Sequence, residues 1–83
     1  MEKLLVEITS PAANLTYDML IPRNIRIGVA AKLIASVLSK LSNGTYEYAG
    51  AAVLCEKDTG EEFDPNLLVR DAKIRNGTKL LIY

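Results

Sequence analysis

From Lys3 to Thr9 the chain alternates, with Leu4, Val6 and Ile8 on one face and Lys3, Leu5, Glu7 and Thr9 on the other. A period of two predicts a β-strand with one buried face. Ser10-Pro11-Ala12-Ala13-Asn14 supplies turn residues. A second run from about Thr16 to Ile21 then sets Tyr17, Met19 and Ile21 on a common side, and Pro22 closes it because proline cannot donate to a ladder. Two strands joined by so short a loop read as a hairpin.

The period then changes to that of a helix. Ile27, Ala30, Ala31, Ile34, Val37, Leu38 and Leu41 fall on one stripe at 100° per residue, opposite Lys32, Ser36 and Ser39. Asn24 is the expected N-cap, and Asn43-Gly44 is the expected stop, with Lys40 in the last turn. Val29 and Leu33 flank the stripe, making the apolar arc wider than one sheet requires. Two readings of that flank stand side by side: a helix nestled in a concave sheet, or a groove for a partner.

A loop from Ser42 to Gly50, carrying Tyr46 and Tyr48, precedes a third predicted strand at about Ala51 to Lys57. Asp58-Thr59-Gly60 turns the chain, and Glu61 to Phe63 is a candidate short edge strand. Asp64-Pro65 breaks it and starts a helical turn carrying Leu67 and Leu68. The last predicted strand, Thr78 to Tyr83, sets Leu80 and Ile82 on one face. Two strands, one amphipathic helix and further strands, with no repeat or linker, form an α+β two-layer pattern in a single domain, residues 1–83.

Composition narrows the chemistry. The 83 residues include ten basic and ten acidic side chains, no His and one Cys. Without His the commonest general base and metal ligand is missing, and a lone cysteine forms neither an internal disulfide nor a zinc cluster. Cys55, inside an apolar run, is expected to be a buried small hydrophobe in a reducing compartment. Zero net charge weakens whole-molecule attraction to nucleic acid or anionic lipid. Lys32 and Lys40 interrupt the most apolar region, and Glu7 the N-terminal one, so neither a membrane span nor a secretory signal is expected. Three Asn-x-Thr triplets begin at Asn14, Asn43 and Asn76, and the Asn-Gly pairs at 43–44 and 76–77 read as turn chemistry. These features favour a cytoplasmic binding module with no catalytic residues, metal or cofactor.

The charge is unevenly spread. Glu56, Asp58, Glu61, Glu62 and Asp64 crowd a stretch that holds only Lys57 as a cation, and Arg70, Lys73, Arg75 and Lys79 follow with Asp71. The acidic run lacks the offsets of an EF-hand, and no apolar pocket is identified to raise one of its carboxylates. The aromatics that would stack bases are scarce and lie away from the basic run. Both runs read as solvated surface that protects sheet edges.

Asn14-Leu15-Thr16-Tyr17-Asp18-Met19-Leu20-Ile21-Pro22, followed by an Ile-rich helix, resembles the signature of the YukD family, small ubiquitin-like proteins found with type VII (ESX-like) secretion systems of Gram-positive bacteria. Ile74-Arg75-Asn76-Gly77-Thr78-Lys79-Leu80 is similar to the closing segment of ubiquitin-like domains. The resemblance implies a ubiquitin-like β-grasp: a mixed four- to five-stranded sheet packed on one main helix, in the order β-β-α-β-β-β. It implies protein partners among the cytoplasmic parts of the secretion machinery. An exposed sheet edge would also permit a homodimer, while the charge balance and the interrupted apolar runs argue against nucleic acid and membrane insertion. Ubiquitin and the sulfur carriers of this fold end in Gly-Gly, whereas this sequence ends at Tyr83 inside its predicted last strand. That difference argues against the alternative of a carrier in sulfur transfer or protein modification.

In such a sheet the last strand lies between the first and the third. Leu5 and Leu81 are then expected to face water, joined by Leu54 if Val53 and Cys55 point inward. Three adjacent leucines with Lys79 and Lys3 beside them would form a docking patch, with Val29 and Leu33 as a second candidate surface.

Overall fold

A computed structural model describes residues 2–42 and 52–83. Strand β1 (Lys3–Ser10) and strand β2 (Leu15–Pro22) form an antiparallel hairpin in continuous register, from Lys3 opposite Pro22 to Ser10 opposite Leu15. Asn14 adopts φ +53°, as the turn requires, and the buried Ser10 hydroxyl accepts a bond from the Ala13 amide at 3.3 Å. Helix α1 (Ile27–Leu41) follows, then β3 (Leu54–Glu56), a 3₁₀ turn at Val69–Asp71, and β4 (Lys79–Ile82). The sheet order is β2-β1-β4-β3, with β4 parallel to β1 and antiparallel to β3. The last strand therefore lies between the first and the third, as expected.

The core lies between this sheet and α1. Val6 and Ile8 of β1, Ile21 of β2, Leu80 and Ile82 of β4 and Leu54 of β3 meet Ile27, Ala30, Ala31, Ile34, Ala35 and Leu38. Ala13 of the hairpin turn, and Val69 and Ile74 of the crossover segment, complete the cluster, with Leu4, Tyr17 and Met19 half-buried against it. The two inward faces predicted from alternation in the hairpin are the observed ones.

The helix stripe differs from its prediction. Ala35 is buried, whereas Val37 and Leu41 are exposed. The buried arc is turned toward Ala35, because small side chains at Ala30, Ala31 and Ala35 line the face that approaches the sheet. Asn24 is also not the N-cap; Arg26 holds that position and makes no side-chain cap bond. The first helical amides are satisfied from far along the chain: Ile27 donates to the Leu67 carbonyl at 2.8 Å and Gly28 to the Pro65 carbonyl at 3.0 Å. A Cβ on Gly28 would stand 3.3 Å from both the Cβ and the carbonyl oxygen of Pro65, so glycine permits this close approach. The predicted stop at Asn43-Gly44 lies outside the described residues, as do Tyr46 and Tyr48.

The C-terminal half is less regular than its pattern. The third strand is shorter than Ala51 to Lys57, although Val53 and Tyr83 still exchange two backbone bonds at 3.1 and 3.0 Å. Glu61 to Phe63 forms only an isolated bridge, Glu62 opposite Cys55, so the described sheet has four strands. The helical turn predicted for Leu67 and Leu68 begins at Val69, which is fully buried while Leu67 is exposed. Asn76-Gly77 does form the turn before β4. Gly77 takes φ +86°, its amide meets the Leu5 carbonyl at 2.7 Å, and the Asn76 Oδ1 accepts from the Leu5 amide at 2.9 Å.

Candidate interaction surface

The outward face of the sheet is built by the same alternation that builds the core. Lys3, Leu5, Glu7 and Thr9 alternate outward on β1, and Thr16, Asp18, Leu20 and Pro22 stand opposite them on β2. Leu5 and Leu20 are direct cross-strand partners, 47% and 62% exposed. Opposed side chains of this kind have Cβ atoms about 5 Å apart, so the two leucines form one apolar spot. Leu5 was expected to face water and does. Leu20 was missed, yet the signal was available: with Tyr17, Met19 and Ile21 inward, Leu20 must point outward, and pairing the hairpin sets it against Leu5.

The predicted three-leucine patch does not assemble. Leu54 is buried in the core at 2% exposure, because its partner on β4 is the inward-facing Ile82. Cys55, not Leu54, pairs with Leu81. Leu81 is half-buried and aligned with Thr9, four residues along β1 from Leu5, a displacement of about 13 Å. Lys79 is exposed and opposite Glu7, between the two leucines. Lys57 reaches across from the β3 side, its Nζ lying 4.0 Å from a Glu7 carboxylate oxygen and 3.5 Å from the Thr9 hydroxyl. The middle of the face is thus a polar band of Glu7, Lys57, Lys79, Thr9 and Thr16, the two threonine hydroxyls standing 3.2 Å apart. It separates the Leu5–Leu20 spot from Leu81.

Cys55 is 3% exposed. Burial, and after it the Glu62 carboxylate, push its thiol above the ordinary value, which keeps the sulfur protonated and unreactive at neutral pH. This agrees with its expected role as a small hydrophobe.

A second apolar surface lies on α1. Val29 and Leu33, the predicted flank, are exposed, and Val37 and Leu41 continue the row at every fourth position. Lys32, Ser36 and Lys40 run beside it. The acidic stretch lands around a shallow groove of about 380 Å³, where Glu56, Glu61, Glu62, Asp64 and Asp71 surround Phe63 and Leu67. Among the described residues no group of three His, Cys, Asp or Glu side chains is placed to hold a metal ion, and no helix is long and apolar enough to cross a membrane.

No known family model matches the chain, and no curated protein matches it in sequence. Solved structures do match. The chain is similar over its full length to the ubiquitin-like domain of EccD5 from Mycobacterium xenopi, with 17% identity, a TM-score of 0.81 and 94% of that chain covered. The ubiquitin-like domain of the type VII secretion protein EccD1 from Mycobacterium tuberculosis matches at 14% identity and a TM-score of 0.77, with 99% of this chain and 98% of that one covered. A chain of the MycP5-free ESX-5 inner membrane complex matches at 19% identity and a TM-score of 0.75; all of this chain is covered but only 21% of that one, so the sequence spans about a fifth of that protein.

Proposed function

We propose that the chain is a non-conjugated ubiquitin-like interaction module of the YukD family, acting in the cytoplasm of a Gram-positive bacterium as an accessory or regulatory part of a type VII secretion system. The premise is the fold, a ubiquitin-like β-grasp with a mixed four-stranded sheet packed on one helix, shared with these domains. The full-length likeness to ubiquitin-like domains of EccD5 and EccD1 supports the setting, together with the Asn14–Pro22 segment that resembles the family signature. The partners are cytoplasmic parts of the secretion machinery, and the work is docking, with no bond made or broken by this chain.

The observation that carries the docking reading is the Leu5–Leu20 pair, an exposed apolar spot on a rigid sheet beside the polar band of Glu7 and Lys79. A partner burying both leucines removes apolar surface from water at about 25 cal/mol per Å², while the rim charges set orientation. Val29 and Leu33 offer a second contact on the helix side. The test is capture of the solubilised secretion membrane complex by wild type, Leu5→Asp and Leu20→Asp. Both variants are expected to keep a near-wild-type thermal midpoint, since neither side chain is in the core, and to lose at least tenfold in affinity. Undiminished capture by both folded variants would remove this face from the account, and no capture by wild type would remove the secretion assignment.

A further inference from the structure

The two edges of the sheet differ. At β3 the edge is covered by the following segment, where Glu56 donates to the Glu61 carbonyl at 2.9 Å and Phe63 donates to the Leu54 carbonyl at 3.0 Å. At β2 it is open. The Arg23 amide donates to the Glu2 carbonyl, the position that continues the hairpin register beyond Lys3–Pro22. In an antiparallel ladder this fixes the parity: odd-numbered β2 residues bond inward to β1, and even-numbered ones point their N–H and C=O away from the sheet. The far side of β1 agrees, because its odd residues Leu5 and Glu7 bond toward the segment before β4. Thr16, Asp18 and Leu20 therefore present three amides and three carbonyls along an edge to which no other described residue bonds. Pro22 occupies the next outward position, where a missing N–H breaks no ladder bond.

We propose that this edge receives an extended peptide strand from another protein, with apolar residues alternating on one side and a Lys or Arg placed to face Asp18. Only an extended backbone satisfies outward groups at this spacing. The added strand's inward residues would lie beside the half-buried Leu15, Tyr17 and Met19, extending the core past its present margin. Its outward residues would lie beside Thr16, Asp18 and Leu20, where Asp18 is the one charge on β2 and calls for a cation. A second copy of this chain fits poorly. Two-fold antiparallel pairing that uses all three outward amides centres on Asp18 and opposes two carboxylates. Of the two neighbouring registers, one sets Thr16 against Pro22, which has no amide to give, and the other sets Leu20 against Asn14, whose φ of +53° takes it out of the strand. The inference stands on hydrogen-bond parity and does not depend on the secretion reading.

The probe is acetyl-Val-Thr-Val-Lys-Val-Thr-Val-amide, added to the ¹⁵N-labelled protein while amide hydrogen exchange is followed residue by residue. Saturating peptide is expected to slow exchange at Thr16, Asp18 and Leu20 at least tenfold, with little change along β3. Replacing the central Lys by Glu is expected to weaken binding several-fold. Peptide N-methylated at both Thr residues and Lys keeps every side chain but loses the pairing edge, so it should not bind. Asp18→Pro removes one outward amide and no β1 bond, and should also abolish protection. Should that variant not fold, the methylated peptide decides alone. Absent protection at millimolar peptide, equal binding of the methylated peptide, or undiminished binding to folded Asp18→Pro would overturn the proposal. So would protection that rises with protein concentration before peptide is added, which would assign the edge to a second copy.

Discussion

At the scale of single residues, burial decides between similar side chains. Leu54 and Leu20 are both leucines in alternating runs, yet one is core and the other two-thirds bare. Cys55 shows the same control over chemistry. Its folded thiol titrates above the ordinary value of 9.0, so the folded state holds this proton longer than the unfolded chain does. The associated stability is fully present below about pH 9 and is lost as pH rises through the folded value. Thermal midpoints measured from pH 7 to pH 10.5 are expected to fall more steeply for wild type than for Cys55→Ala, and to run parallel below pH 8. A thiol reagent at pH 7.5 should label the folded protein far more slowly than the denatured chain.

At the scale of elements, α1 is defined by which side meets the sheet. Ala35 is fully buried and Val37 is not, although periodicity alone centred the stripe nearer Val37. Ala35→Leu should overpack the helix–sheet interface and lower stability by about 1–3 kcal/mol. Val37→Lys should change it by less than about 0.5 kcal/mol, as exposed substitutions do. Chemical denaturation of the two variants separates these outcomes, and reversal of their order would place the helix in a different rotation. The start of the helix follows the same logic: its first amides find carbonyls at Pro65 and Leu67, so no side-chain cap is needed.

At the scale of the whole molecule, β4 is the keystone of the described sheet. It pairs with β1 on one side and β3 on the other, and supplies Leu80 and Ile82 to the core. The β1–β2 hairpin cannot stand alone, since an isolated two-stranded hairpin is marginal in water. Ending the chain after Thr78 is therefore expected to abolish the cooperative unfolding transition seen by circular dichroism. A truncated chain that retained a hairpin with its own sharp transition would show that the two halves fold separately.

Much of this was legible in the sequence, and the boundary is physical. Local periodicity determined the hairpin, its inward faces, the existence of the helix and the Asn76-Gly77 turn, because strand alternation, helical stripes and positive φ are properties of neighbouring residues. From the same hairpin, Leu20 was within reach as the partner of Leu5. What lay beyond reach depended on residues distant in the chain. The register of β3 against β4 sent Leu54 inward and Cys55 opposite Leu81, a one-residue choice that inverts every side chain of a strand. The offset between β1 and β4 parted Leu5 from Leu81, and the crossover carbonyls replaced Asn24 as the cap of the helix. Sequence determined which faces exist; only tertiary pairing decided which faces meet, because register and close approach are set between segments that no local pattern connects.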